Sequence, residues 1–188
     1  MADENMLYIT TRTEWRNWLC TNFNKKTGVW LIYPKKSSGK TRILYNDAVE
    51  EALCFGWIDS TVKVLDEDHY RQRFGPRNPG SEYSQSNKER LKWLMENKMI
   101  HPSIEDEVKG IIDKAFIFPS NIIIVIKKDR AAWKNYKTFS DSYKRIRIAY
   151  IDGARNRPDE FKKRLSNFVN KTKENKLLKG FGGIEKYY

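Results

Sequence analysis

An apolar helical run that stops on a glycine and turns at once into two alternating segments limits what this chain can fold into. Val49, Ala52 and Leu53 recur at helical spacing, and Gly56 follows as the helix stop, since glycine enters the left-handed region without a Cβ clash. Trp57 to Leu65 and Tyr70 to Phe74 then read as strands on either side of the acidic turn Asp66-Glu67-Asp68. A helix leading directly into a hairpin belongs to an α+β fold rather than to a helical bundle or a parallel sheet. In one register Asp59, Thr61 and Lys63 share a face with Arg71 and Arg73; a one-residue slip puts the arginines on the other side.

Local signals set the remaining elements. Thr11 with Glu14 forms a capping box ahead of Trp15, Trp18, Leu19 and Phe23, which predicts a helix from Arg12 to Asn22. Val29 to Tyr33 reads as a strand ended by Pro34. Asn46 is positioned to cap a helix from Asp47 to Phe55, and Ser86 with Glu89 opens one from Asn87 to Asn97. Ser103 opens another, from Ile104 to Ala115. Ile122 to Ile126 is strand by propensity, yet Pro119-Ser120-Asn121 is a helix-start signal, and the helix is the preferred reading. Helices are expected from Arg130 to Tyr136, Ser140 to Gly153 and Pro158 to Lys173. The architecture that follows is a small, mostly antiparallel sheet with helices over 1–118, then a basic helical unit over 119–188. That unit should end in a flexible tail at Gly180-Phe181-Gly182-Gly183.

The net charge of +12 is concentrated. Residues 1–120 hold 18 Lys+Arg against 17 Asp+Glu, whereas residues 121–188 hold 18 against 7. The last third is therefore either a solubilising surface or the footprint of an anionic partner: nucleic acid, an acidic protein or an anionic small molecule. Its candidates are Lys144, Arg145, Arg147, Arg155, Lys162, Lys163 and Arg164, interleaved with Tyr143, Tyr150 and Phe161. Tyr143, Ile146 and Tyr150 also fall at core spacing.

Several chemistries are unsupported. Gly39-Lys40-Thr41 resembles the end of a phosphate-binding loop, but the required earlier glycine is Pro34. His69 and His101 lack partners at metal-ligand spacing, and Cys20 and Cys54 form no redox or zinc motif, so no metal or cofactor is expected. No glycine elbow surrounds Ser60. Cys54 reads as a core thiol. The absence of a long apolar run or a signal pattern leads to the expectation of a cytoplasmic protein without a membrane span. The oligomeric state is open.

The densest mixture of residue types lies between Ala52 and Arg90. Arg71, Arg73 and Arg77 with Asn87, Lys88 and Arg90 suit a carboxylate or phosphate, beside Trp57 and Asp59. The alternative is a structural network in which these arginines pair with Asp59, Asp66, Glu67 and Asp68.

Ala52-Leu53-Cys54-Phe55-Gly56-Trp57-Ile58-Asp59-Ser60, Arg71-Gln72-Arg73-Phe74-Gly75-Pro76-Arg77 and Ser86-Asn87-Lys88-Glu89-Arg90 form a series that resembles the signature of the YdeI-like family, also called the bacteriocin-protection or OmpD-associated family. The resemblance extends from about Thr10 to Lys179, through Thr11-Arg12-Thr13-Glu14-Trp15, Gly28-Val29-Trp30-Leu31, Lys35-Lys36-Ser37-Ser38-Gly39, Met99, Ser142-Tyr143 and Arg155-Asn156-Arg157-Pro158. It departs at Tyr83, where the family usually has Trp, and at Ile100-His101-Pro102, where it has Pro-Ala-Gly. The resemblance implies a helix at Ile122 to Ile126 and a bacterial stress or bacteriocin-protection role without enzymatic chemistry. The net charge of +12 opposes direct capture of a cationic bacteriocin and points to an indirect route through an anionic ligand or partner. The resemblance carries no catalytic residue. A nucleic-acid-binding module and an enzyme or sensor for a small anionic metabolite are the alternatives.

Overall fold

The computed structural model of the chain describes residues 5–180 and 183–188. The chain folds as two compact units, Met1–Glu82 with Leu94–Lys109, and Tyr83–Trp93 with Gly110–Tyr188. The fold class is α+β.

The first unit holds β1 (Met6–Leu7), β2 (Val29–Pro34), β3 (Trp57–Val64) and β4 (His69–Pro76) in one sheet of order β1-β2-β4-β3. β1 is parallel to β2, and the other pairings are antiparallel. Neither uniform register describes the β3–β4 ribbon. Asp59 lies opposite Phe74 and Val62 opposite Gln72, so Ser60 and Thr61 share one position across from β4. A bulge of this kind reverses the alternation of faces. Asp59 therefore lies on the Gln72 and Phe74 face, while Lys63, opposite Arg71, lies on the arginine face.

Helices α1 (Arg12–Asn22) and α2 (Tyr45–Leu53) cover the Gln72 and Phe74 face. The capping box of α1 is complete: the Thr11 hydroxyl accepts from the Glu14 N–H at 3.2 Å, and the Glu14 carboxylate accepts from the Thr11 N–H at 3.2 Å. α2 starts earlier than expected, with Leu44 at its cap, so Asn46 lies inside the first turn and donates to Glu50 at 2.6 Å. Gly56 takes a left-handed φ of 72° beyond the helix end, the conformation expected of a stop. The core is aromatic: Trp15 meets Phe74 edge-on at 5.5 Å, Trp18 meets Trp57 at 5.8 Å, and Leu19 and Leu31 are fully buried among them.

Helix α3 (Gln85–Glu96) begins before the expected Asn87, because the hydroxyl of Ser84, rather than that of Ser86, accepts from the Asn87 N–H at 3.3 Å. α4 (Glu105–Ile112) follows a 3-10 turn at Pro102–Ile104 and ends short of Ala115.

In the second unit α5 (Ser120–Lys128), α6 (Arg130–Thr138), α7 (Asp141–Asp152) and α8 (Pro158–Lys173) surround a core that includes Ile122, Ile126, Tyr136, Tyr143, Ile151 and Phe168. The isoleucine run is helical. Only Ile122 and Ile126, one helical turn apart, are fully buried, so packing of one stripe outweighs β-branched propensity. Asp129 caps α6 through the Ala132 N–H at 3.0 Å, and Ser140 caps α7 through that of Tyr143 at 3.2 Å. Of the expected flexible tail, Phe181 and Gly182 lie outside the described residues; the chain beyond them forms a 3-10 turn at Ile184–Tyr187 with Ile184 and Tyr187 buried. Among the described residues, no helix is long and apolar enough to cross a membrane.

Candidate functional site

The residues proposed to bind an anion in the central block are divided between the two units, and those of the first unit lie on different faces of its sheet. Trp57 is a core anchor, 1% exposed, whose indole N–H donates to the Phe23 carbonyl at 3.0 Å. Asp59, on the helix-covered face, accepts from the Tyr45 hydroxyl at 3.0 Å and from Gln72 at 2.7 Å. Arg71 is on the opposite face, its guanidinium 4.6 Å from the Trp30 ring, with Lys63 at 5.6 Å from the same ring. Arg73 donates to the Thr27 carbonyl at 3.1 Å, and Arg77 to the carbonyls of Ser81 and Glu82. Asn87, Lys88 and Arg90 belong to the second unit, where Asn87 accepts from Arg90 at 2.9 Å and the buried Arg90 guanidinium lies 5.7 Å from the Tyr187 ring. Lys88 lines a separate cavity of about 160 Å³ with Glu89, Lys92 and Arg145. Asp66, a suggested partner for the arginines, accepts instead from His69 at 2.8 Å and from the Asp68 N–H at 2.8 Å.

The first unit instead concentrates its charge between α1 and α2. Glu50 and Glu51 are buried, at 0% and 1% exposure. Arg12 bonds Glu51 at 2.5 Å, Glu50 at 2.6 Å and Asp47 at 3.2 Å, and Arg16 bonds the second oxygen of Glu51 at 2.7 Å. Burial opposes the charge on Arg12, but its hydrogen bonds to Glu50 and Glu51 and their negative charge outweigh it and hold the guanidinium above its ordinary value. Arg16 also donates to the Met99 carbonyl at 2.8 Å, which ties the segment after α3 to this cluster. Its carboxylates are occupied by arginines, so it is a fastening between helices rather than a site for a ligand.

Cys54 lies at the end of α2, fully buried. Burial, reinforced by Glu51, pushes its thiol up to about 12 despite the opposing charge of Arg16. A thiol reagent at pH 8 should therefore modify the exposed Cys20 alone until the protein is denatured. The stability linked to Cys54 is intact below its unfolded value of 9.0 and is lost as pH climbs toward about 12. Two fast-reacting thiols in the native protein would refute the assignment.

The seven candidate basic residues of the last third divide into three groups. Arg145 is tied to buried Glu89 at 2.6 and 2.8 Å. Lys144 pairs with Asp141 at 3.2 Å, Arg164 with Glu160 at 2.7 Å, and Arg155 with Asp152. The Arg164 hydrogen bond is the main cause holding the Glu160 carboxyl below its ordinary value. Lys162 and Lys163 are exposed, and among the described residues no carboxylate lies within ion-pair distance of either. Arg147 is different again: it is 7% exposed and, among the described residues, donates only to neutral oxygens, the Leu178 carbonyl at 2.5 Å and the Tyr188 hydroxyl. Of the interleaved aromatics, Tyr143 is core, whereas Tyr150 is 53% exposed beneath the Arg164 guanidinium at 3.8 Å.

Residues 7–107, more than half of the chain, match the family described as Domain of unknown function (DUF8412). The chain belongs to this family. Residues 115–175 match the family described as Bacteriocin-protection, YdeI or OmpD-Associated. No curated protein and no solved structure gives a significant match.

The YdeI-like resemblance read from the sequence thus has its match in α5 to α8, while the central block that suggested it falls within the DUF8412 region. Within that region the buried Arg12–Glu50–Glu51 cluster has no motif in the sequence. Its one visible signal is two adjacent glutamates inside the apolar run of α2, where a solvated helix face has no room for both.

Proposed function

We propose that the protein serves bacteriocin protection without chemistry of its own, through an anionic partner held by its C-terminal unit. The match of residues 115–175 to the bacteriocin-protection family supports the general role. The observation that carries the anionic partner is the unequal use of charge in residues 121–188, where the pairs of Asp129, Asp141, Asp152, Glu160 and Glu174 engage only part of the 18 cations. Among those outside the pairs are Lys162 and Lys163, adjacent on α8. A cationic bacteriocin would be repelled by a chain of net charge +12, so direct sequestration is disfavoured and an indirect route is favoured.

Production of the protein in a bacteriocin-sensitive bacterium should raise survival, and Lys162→Ala with Lys163→Ala should remove the gain. Protection that persists without these charges, or tight binding of the bacteriocin by the purified protein, would overturn the reading. Nucleic acid is a second candidate for the partner, favoured by the exposed lysine pair. Binding that neutralises about four phosphates should weaken with a log-log salt slope of roughly −3 to −4, and the double substitution should flatten it by about 2. A complete lack of binding to DNA and RNA at about 50 mM salt would eliminate nucleic acid.

A further inference from the structure

The faces of α7 and α8 enclose a cleft of about 280 Å³. α7 contributes Arg147, Tyr150 and Ile151, spaced at three and four residues so that they share one face. α8 contributes Glu160, Lys163, Arg164, Asn167 and Phe168 along a single stripe, and Leu178 completes the lining. The polar groups are fixed to different degrees. Arg164 is held on three sides, by Glu160 at 2.7 Å, by the Tyr150 carbonyl at 2.7 Å and by the Tyr150 ring at 3.8 Å. Arg147 is fixed by the Leu178 carbonyl and flanked by the Tyr143 and Tyr188 rings at 5.6 and 5.3 Å. Its Nε is buried without a hydrogen-bond partner. Among the described residues no carboxylate pairs with Arg147, so a guanidinium more than nine-tenths buried keeps an uncompensated charge. Such a charge is costly unless an anion offsets it.

We infer that this cleft is a binding site for a small organic phosphomonoester. The inference rests on the reading that the C-terminal unit binds anions, and adds the place and the class of ligand. Three cations and one carboxylate line the cleft, a balance that suits a dianion, and a phosphomonoester is close to a dianion at neutral pH. The Arg147 and Arg164 guanidinium groups, Lys163 and the Asn167 amide supply donors for a group rich in acceptor oxygens. The volume exceeds what a bare phosphate needs, and Tyr150, Ile151 and Phe168 offer apolar surface to the body that carries it.

Two exposed lysines provide the test. Lys163 lines this cleft, whereas Lys134 on α6 lies outside its lining. Each alanine substitution removes one positive charge from the same unit, so only a discrete site distinguishes them. Phenyl phosphate, inorganic phosphate and a single-stranded oligonucleotide are titrated into the full-length protein at about 50 mM salt, where electrostatic binding is strong. Phenyl phosphate should bind more tightly than inorganic phosphate. Lys163→Ala should weaken it about tenfold, the loss of one charge-assisted hydrogen bond, while Lys134→Ala should change it less than about twofold. Arg147→Met should abolish binding with the fold retained, since an apolar replacement of a buried charge is tolerated; if that variant does not fold, the lysine comparison decides. Equal weakening by the two lysine substitutions, equal affinity for inorganic phosphate, or no binding of phenyl phosphate would each overturn the site. If the oligonucleotide still binds in that case, the broader anionic reading stands without this site; if neither binds, the site and nucleic acid both fall, and the survival assay decides the broader reading.

Discussion

Arg12→Met should destabilise the first unit by about 3–5 kcal/mol, because it removes one partner of a buried ion pair and leaves the other charged. Glu50 is fully buried and Glu51 nearly so; Arg12 bonds both, and Arg16 reaches only Glu51. The loss should depend little on salt, since screening acts weakly on buried pairs. Arg12→Lys should recover only part of it, because an ammonium cannot present the fork that meets Glu50 and Glu51 together. Adding Glu50→Gln to Arg12→Met should restore stability relative to the single variant, as the buried charge goes with its partner. Denaturant melts followed by tryptophan fluorescence report on this unit through Trp15, Trp18 and Trp57. A single-variant loss below about 1 kcal/mol would show that the carboxylates are solvated rather than fastened.

Trp57→Ala should cost about 3–5 kcal/mol, the range for removing a large aromatic from a core that relaxes only partly. The ring fills space beside Trp18 and its N–H satisfies the Phe23 carbonyl, so the substitution creates a cavity and strands an acceptor. Trp57→Phe should cost less, because most of the ring volume remains. A loss below about 1 kcal/mol in the same melts would place Trp57 at the surface and return it to the candidates for ligand contact.

Legibility in the sequence followed the range of the forces involved. α1 is legible to the residue because its capping box is made by Thr11 and Glu14 alone. The start of α2 was displaced because Leu44, its cap, offers no side-chain hydrogen bond. Trp57 as a core anchor was readable from its place between a helix stop and an alternating segment. The faces of Asp59 and Arg71 were not, since they depend on a bulge at Ser60 and Thr61, two exposed polar residues that no buried face holds in register. The pairing of Arg12 with Glu50 and Glu51 spans more than 35 residues and is set by the packing of two helices. Arg147 looked like its basic neighbours in the sequence, and only its burial separates it from them.

Helix α3 gives the chain an order of completion during synthesis. Its residues up to Trp93 belong to the second unit, while the rest of that unit begins at Gly110. The first unit has all of its residues once Lys109 has left the ribosome, and domains generally fold from the N-terminus as they emerge. Arg145, the arginine that neutralises Glu89, follows it by 56 residues and has not yet been made at that point. A nascent chain halted near residue 110, between the segments that match the two families, therefore carries a helix whose polar face is made for a partner not yet translated. The junction between the two families is a seam in sequence but not in folding, and a fragment cut there would leave Arg145 without its carboxylate.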